Sequence, residues 1–122
     1  IKEVSSENFD IIYLNTVLQY IDDTEALISK LTEFKPEYFV FSRLLAGEVR
    51  SHKLIEKILG YDVETKIINV HDFRKIMENE GYFLLFKSST PYEDFEYRYD
   101  KSIKDDLRIP SSISLVFKRE RA

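Results

Sequence analysis

The chain contains no cysteine and no tryptophan, and only three glycines, three prolines and one methionine in 122 residues. Without cysteine there can be no disulfide, no thiolate metal ligand and no cysteine nucleophile, and the absence fits a cytosolic protein. Gly47, Gly60 and Gly81 lie too far apart for two to share a turn. That excludes a glycine-rich phosphate loop and counts against a nucleotide-binding enzyme of the usual kind. An excess of positive charge is missing too. Eighteen lysines and arginines stand against 22 aspartates and glutamates, a net charge of −4 with both signs interspersed. Such a surface offers no footprint for nucleic acid and no polybasic membrane anchor. No apolar run approaches the roughly 20 residues of a membrane span. The opening residues, IKEVSSENFD, are too polar for a signal peptide. They also lack an initiator methionine, as expected of a fragment or a trimmed chain.

What the chain does have is apolar and aromatic bulk. The hydrophobic fraction is 43%, and nine Phe and eight Tyr raise the aromatic share to 14%, so a single domain with a real core is expected rather than disorder. Phe9 to Leu14 is nearly continuous in apolar residues, which suits a strand covered on both faces. Asp22 or Asp23 is placed to cap a helix from Thr24 to about Phe34, with Glu25 at the positive end of its dipole. Leu27, Ile28, Leu31 and Phe34 form its apolar stripe, and Pro36 stops it. Tyr38 to Leu44 reads as a second buried strand, completing a right-handed βαβ unit.

Beyond it, Ser51 to Leu59 fits a short helix ended by Gly60, with Leu54, Ile55 and Ile58 on one side. Lys66 to Val70 fits either a short strand or an extended lead-in. Asp72 is placed to cap a helix carrying Phe73, Ile76 and Met77, which Gly81 ends. Tyr82 to Ser88 and Ser112 to Lys118 then read as strands that pair antiparallel around a long loop, 89–111.

The wording of Phe9–Asp10 opening a strand, Leu18-Gln19-Tyr20-Ile21-Asp22-Asp23 after it, and Gly81–Tyr82 before the late strand resembles a known family. It is similar to the second half of a class I S-adenosylmethionine-dependent methyltransferase, from the fourth strand onward. Ser42-Arg43-Leu44-Leu45-Ala46-Gly47 is similar to an Arg-Leu-Pro-Ala-Gly pattern in a bacterial subfamily associated with surface-polysaccharide genes, with Leu45 where that pattern has proline.

The resemblance implies an α/β fold, the C-terminal half of a Rossmann-like sheet, mostly parallel with a final antiparallel strand. It implies S-adenosylmethionine as cofactor, and Asn15, Thr16, Val17, Leu18 and Gln19 as the residues beside it. Tyr20 would lie toward the substrate, and Arg43 would reach the same cleft from the end of the next strand, since ligands in open α/β sheets sit at strand carboxyl ends. The family's glycine-rich turn and the acidic residue that holds the ribose are both missing from these 122 residues. Alone, the chain is therefore expected to transfer no methyl group.

Plainer roles compete for the same residues. Asn15, Thr16 and Gln19 could simply hydrogen-bond a turn. Asp22 and Asp23 are better explained by helix capping than as a catalytic or metal pair. His52 and His71 lack metal-ligand spacing, and His71, just before Asp72, reads as a turn residue. Arg43 could pair with a carboxylate.

In the loop TPYEDFEYRYDKSIKDDLRIP, Tyr97 and Tyr99 interleave with acidic residues. Such a loop suits a flap over a small-molecule or saccharide acceptor, or an excursion whose aromatics pack back on the domain. A half-sheet would also leave Phe9–Leu14 as an open edge, so self-association through that strand is expected. The competing reading of the whole chain is a non-catalytic oligomerisation or binding module built on the same fold.

Overall fold

The computed structural model describes residues 10–90, 107, 109 and 111–120. Among these residues the chain forms two sheets and two α-helices. The main sheet has the order β1-β2-β7-β6, with β1 at Ile11–Asn15, β2 at Tyr38–Leu44, β6 at Tyr82–Thr90 and β7 at Ser112–Arg119. Strand β1 runs parallel to β2 in the register Ile11↔Tyr38 to Asn15↔Ser42. The last strand, β7, inserts between β2 and β6 and is antiparallel to both. The sheet is therefore mixed rather than mostly parallel. One inserted strand turns two of the three ladders antiparallel, although β1, β2 and β6 all point the same way.

Helix α1, Thr24–Thr32, starts where Asp23 accepts a hydrogen bond from the Ala26 amide at 3.0 Å. Helix α2, Val70–Asn79, starts earlier than its sequence suggests. Asn69, not Asp72, is the cap, and its Oδ1 accepts from the Asp72 amide at 3.0 Å. Asp72 is thus in the first turn, where its charge still suits the helix dipole. Both helices pack on one face of the sheet. Ile28, Phe39, Phe41, Phe73, Met77, Leu115 and Phe117 are buried there as one cluster. Its aromatic rings meet edge to face: Phe41 against Phe73 at 4.9 Å and Phe39 against Tyr82 at 4.8 Å between centroids. The Tyr82 hydroxyl donates to the Pro36 carbonyl at 2.6 Å, and burial pushes its pKa up to about 12.

The segment 51–59 is not a helix. His52–Ile58 is strand β4, joined by a two-residue turn to β5, Tyr61–Asn69, in an antiparallel hairpin. The short β3, Ala46–Gly47, adds to β5 in parallel. Leu54, Ile55 and Ile58 fit a helical stripe, but the residues His52, Leu54, Glu56 and Ile58 also alternate along one strand face. The glycine signal was equally two-sided. Gly60 at φ 83° and Leu59 at φ 51° form a left-handed pair of the kind that closes hairpins, rather than a helix stop.

Strand β1 departs from expectation as well. Ile12 and Leu14 pack on the core, while Ile11 and Tyr13 are more than half exposed. Among the described residues both helices lie on the same side of the sheet, and that is the face they cover. Phe9 lies outside the described residues.

Candidate functional site

Strands β1 and β2 end side by side, and each end carries a non-glycine residue in the left-handed region. Thr16 has φ 57° and Arg43 has φ 54°, the latter inside an irregularity of β2 between Phe41 and Leu44. Such conformations cost about 1 kcal/mol or more and concentrate at binding sites. The bend after β1 is fixed by the Thr16 amide, which donates to the Ser42 carbonyl at 3.1 Å.

Around this point four polar side chains form a closed network. The Asn15 carboxamide oxygen accepts from the Thr16 hydroxyl at 2.9 Å and from the Ser42 hydroxyl at 3.0 Å. The Tyr13 hydroxyl lies 2.7 Å from that of Ser42. Because Ser42 has a single proton and gives it to Asn15, the Tyr13 hydroxyl donates to Ser42. Tyr13 is not marked by the sequence, and Ser42 only as the first residue of the Ser42–Gly47 run, not as a site residue. Their meeting depends on the parallel register, which places position 15 opposite 42, and on Tyr13 sharing the open face with both.

The structure parts the residues that the family resemblance groups together. Asn15, Thr16 and Val17 reach the surface at the strand end, and Tyr20 is 44% exposed. Leu18 is a core residue, 1% exposed, in a cluster with Ile28 and Phe41. Gln19 is 3% exposed, and its Oε1 has no hydrogen-bond donor. Both are buried in the 3-10 turn Leu18–Tyr20, against which β5 packs.

The hairpin is pinned over this segment. Lys66 Nζ donates to the Thr24 hydroxyl at 2.7 Å and to the Asp22 carbonyl at 3.3 Å, and burial lowers its pKa. Lys53 pairs with Glu64 at 2.9 Å and Asp22 at 3.6 Å, and the hydrogen bond to Glu64 raises its pKa. Arg43 is exposed beside the network. Tyr97 and Tyr99 lie outside the described residues.

At the same end of the strands but toward the opposite edge of the sheet, a cavity of about 300 Å³ opens between Gly47, Lys87, Ser89, Ile109 and Ser111. Gly47 is needed there for space, since a Cβ would come within 2.6 Å of the Ile109 side chain. Among the described residues no cluster of His, Asp or Glu could hold a metal ion.

No family model and no curated protein matches the sequence. Solved structures do match. A putative S-adenosylmethionine-dependent methyltransferase from Listeria monocytogenes superposes with a TM-score of 0.66 at 11% identity, over 94% of this chain. An S-adenosylmethionine-dependent methyltransferase from Mesorhizobium loti superposes with a TM-score of 0.56 at 14% identity, over 95% of this chain. The chain has the class I methyltransferase fold. It spans 63% of the length of the first structure and 67% of the second.

At the strand end the Asn15 carboxamide NH2 has no partner among the described residues and Val17 is an exposed apolar surface, while the Gln19 oxygen is buried away from them without a donor among those residues. No helix is long and apolar enough to cross a membrane among the described residues.

Proposed function

We propose that the chain is the C-terminal portion of an S-adenosylmethionine-dependent methyltransferase, forming one wall of its cofactor and acceptor cleft. The observation that carries this reading is the topology, β7 inserted antiparallel between β2 and β6, in a fold shared with two such structures. Bound S-adenosylmethionine would supply the electrophilic methyl group. The chain's own part is to bind and orient, which can by itself account for a large share of such a rate enhancement. Asn15, Thr16 and Val17 line the cofactor side. Tyr20 and Arg43 face the acceptor, and the Lys87–Ser89–Ser111 cavity is a recess where a hydroxyl-rich acceptor such as a saccharide fits. The polysaccharide-associated subfamily and a cytoplasmic location belong to this same proposal.

Titration calorimetry with S-adenosylhomocysteine tests it. The 122-residue chain is expected to bind weakly or not at all and to transfer no methyl group. A polypeptide extended upstream by a glycine-rich half is expected to bind in the micromolar range. Failure of the extended polypeptide to bind would sink the methyltransferase reading, and methyl transfer by the short chain would overturn its inactivity.

A second reading is supported by the open edge of β1. Ile11–Asn15 carries no charge and has a strand neighbour on one side only among the described residues. Such an edge suits pairing with a second copy, as in an oligomerisation module. A strictly monomeric mass in light scattering at high concentration would count against it.

A further inference from the structure

We infer that Tyr13 and Ser42 are positioning residues that lock the Asn15 carboxamide with its oxygen turned inward, so that the Asn15 side chain turns its NH2 toward a hydrogen-bond-accepting oxygen and offers an amine no acceptor. The inference deepens the methyltransferase reading, on which its choice of ligand rests, but its geometry stands apart from it.

The Asn15 oxygen has two lone pairs, and both are occupied, by Thr16 at 2.9 Å and Ser42 at 3.0 Å. It has no capacity left for an ammonium or amine proton. The Tyr13 hydroxyl, 2.7 Å from Ser42 Oγ, donates to it and so holds the Ser42 proton on the Asn15 oxygen. What Asn15 itself offers a ligand is its carboxamide NH2, which donates two protons and accepts none, whereas the Thr16 and Tyr13 hydroxyl oxygens keep lone pairs of their own.

Three supports hold it in place. Ser42 is set by the β1–β2 register, Thr16 by its left-handed backbone, and Tyr13 by its position two residues along the same strand face. An acceptor oxygen could come from a carboxylate on the cofactor or from the molecule to be methylated.

The test uses the isotopically labelled 122-residue chain, with nuclear magnetic resonance read at the Asn15 side-chain amide. Formate and methylammonium are the first probes. Formate is expected to move the Asn15 amide protons along a saturable curve and methylammonium to leave them in place. Ser42→Ala is expected to weaken the formate response about fivefold, as expected for one neutral hydrogen bond, and Ser42→Thr to restore it. Tyr13→Phe is expected to weaken it less. Asn15→Asp, which keeps an inward oxygen but offers another oxygen outward, is followed at the Thr16 backbone amide beside it and is expected to reverse the preference toward methylammonium.

An equal response to both probes, or a formate response that Ser42→Ala leaves unchanged, overturns the inference. S-adenosylhomocysteine and 5′-methylthioadenosine then separate the sources. Movement of Asn15 by the first alone supports the inference with the cofactor's carboxylate as the oxygen. A formate response with neither nucleoside acting supports it with another oxygen, and counts against the cofactor reading only.

Discussion

The two faces of the main sheet are built from similar residues and treated differently. On one, Phe39, Phe41, Leu115 and Phe117 are at most 1% exposed beneath α1 and α2. On the other, Ile11, Tyr13, Phe83 and Phe86 remain 41% to 59% exposed beside Val40 and Val116. Strand alternation sends every second residue to each face, so a strand that is apolar throughout is written for cover on both sides. The covered face is a packed core, and the open face is a patch larger in character than isolated surface hydrophobes.

That contrast has measurable consequences, of which the largest lies in the aromatic cluster. Phe41→Ala removes a ring that meets both Phe73 and Phe117 edge to face. It is expected to lower stability by about 3–5 kcal/mol in denaturant unfolding, whereas Phe86→Ala on the open face should cost well under ~1 kcal/mol. Equal losses would mean that the open face is covered in solution.

Tyr82→Phe should cost about 1 kcal/mol through the lost bond to Pro36. It also carries a pH signature. The folded pKa, about 12, lies above the ordinary value of 10.0, so the stabilisation is complete below pH ~10 and is lost as pH rises toward ~12. Wild-type stability should therefore fall more steeply than that of the variant over this range. Parallel curves would contradict the buried phenol.

Away from both faces, Leu59→Asn should stabilise the hairpin by roughly 0.5–1 kcal/mol, because asparagine accepts φ 51° more readily than leucine. A lower melting temperature would show that exposed Leu59 makes a contact in solution. The smallest effect on folding belongs to Ile11→Lys, expected within ~0.5 kcal/mol. Its mark is on association: light scattering should show any oligomer of the wild type reduced to monomer.

Much of the architecture could be read in advance, for a local reason. The Asp23 cap and Pro36 stop bracket α1. The Tyr38–Leu44 run matches β2 residue for residue, and Gly81 breaks α2 from β6. The site was less readable. Asn15, Thr16 and Val17 do stand at the strand end, but Leu18 and Gln19 are buried in a turn against which β5 packs, and β5 belongs to a hairpin whose first strand reads as a helix. Once that hairpin is missed, nothing in the sequence tells Gln19 from its exposed neighbour Tyr20.

The start of α1, the stops of both helices, the strand-forming runs at β2, β6 and β7 and the absence of a glycine-rich loop follow from residue chemistry within a few positions of each other, so the chain alone determines them. The β4–β5 hairpin, the single-sided cover of β1 and the Tyr13–Ser42–Asn15–Thr16 network were decided only by the folded protein. Each depends on which strands become neighbours and in what register. For β1 and the network, pairing between residues 27 apart such as Asn15 and Ser42 settles that. For the hairpin it is strand pairing across a two-residue turn, in a segment whose pattern fits helix and strand alike.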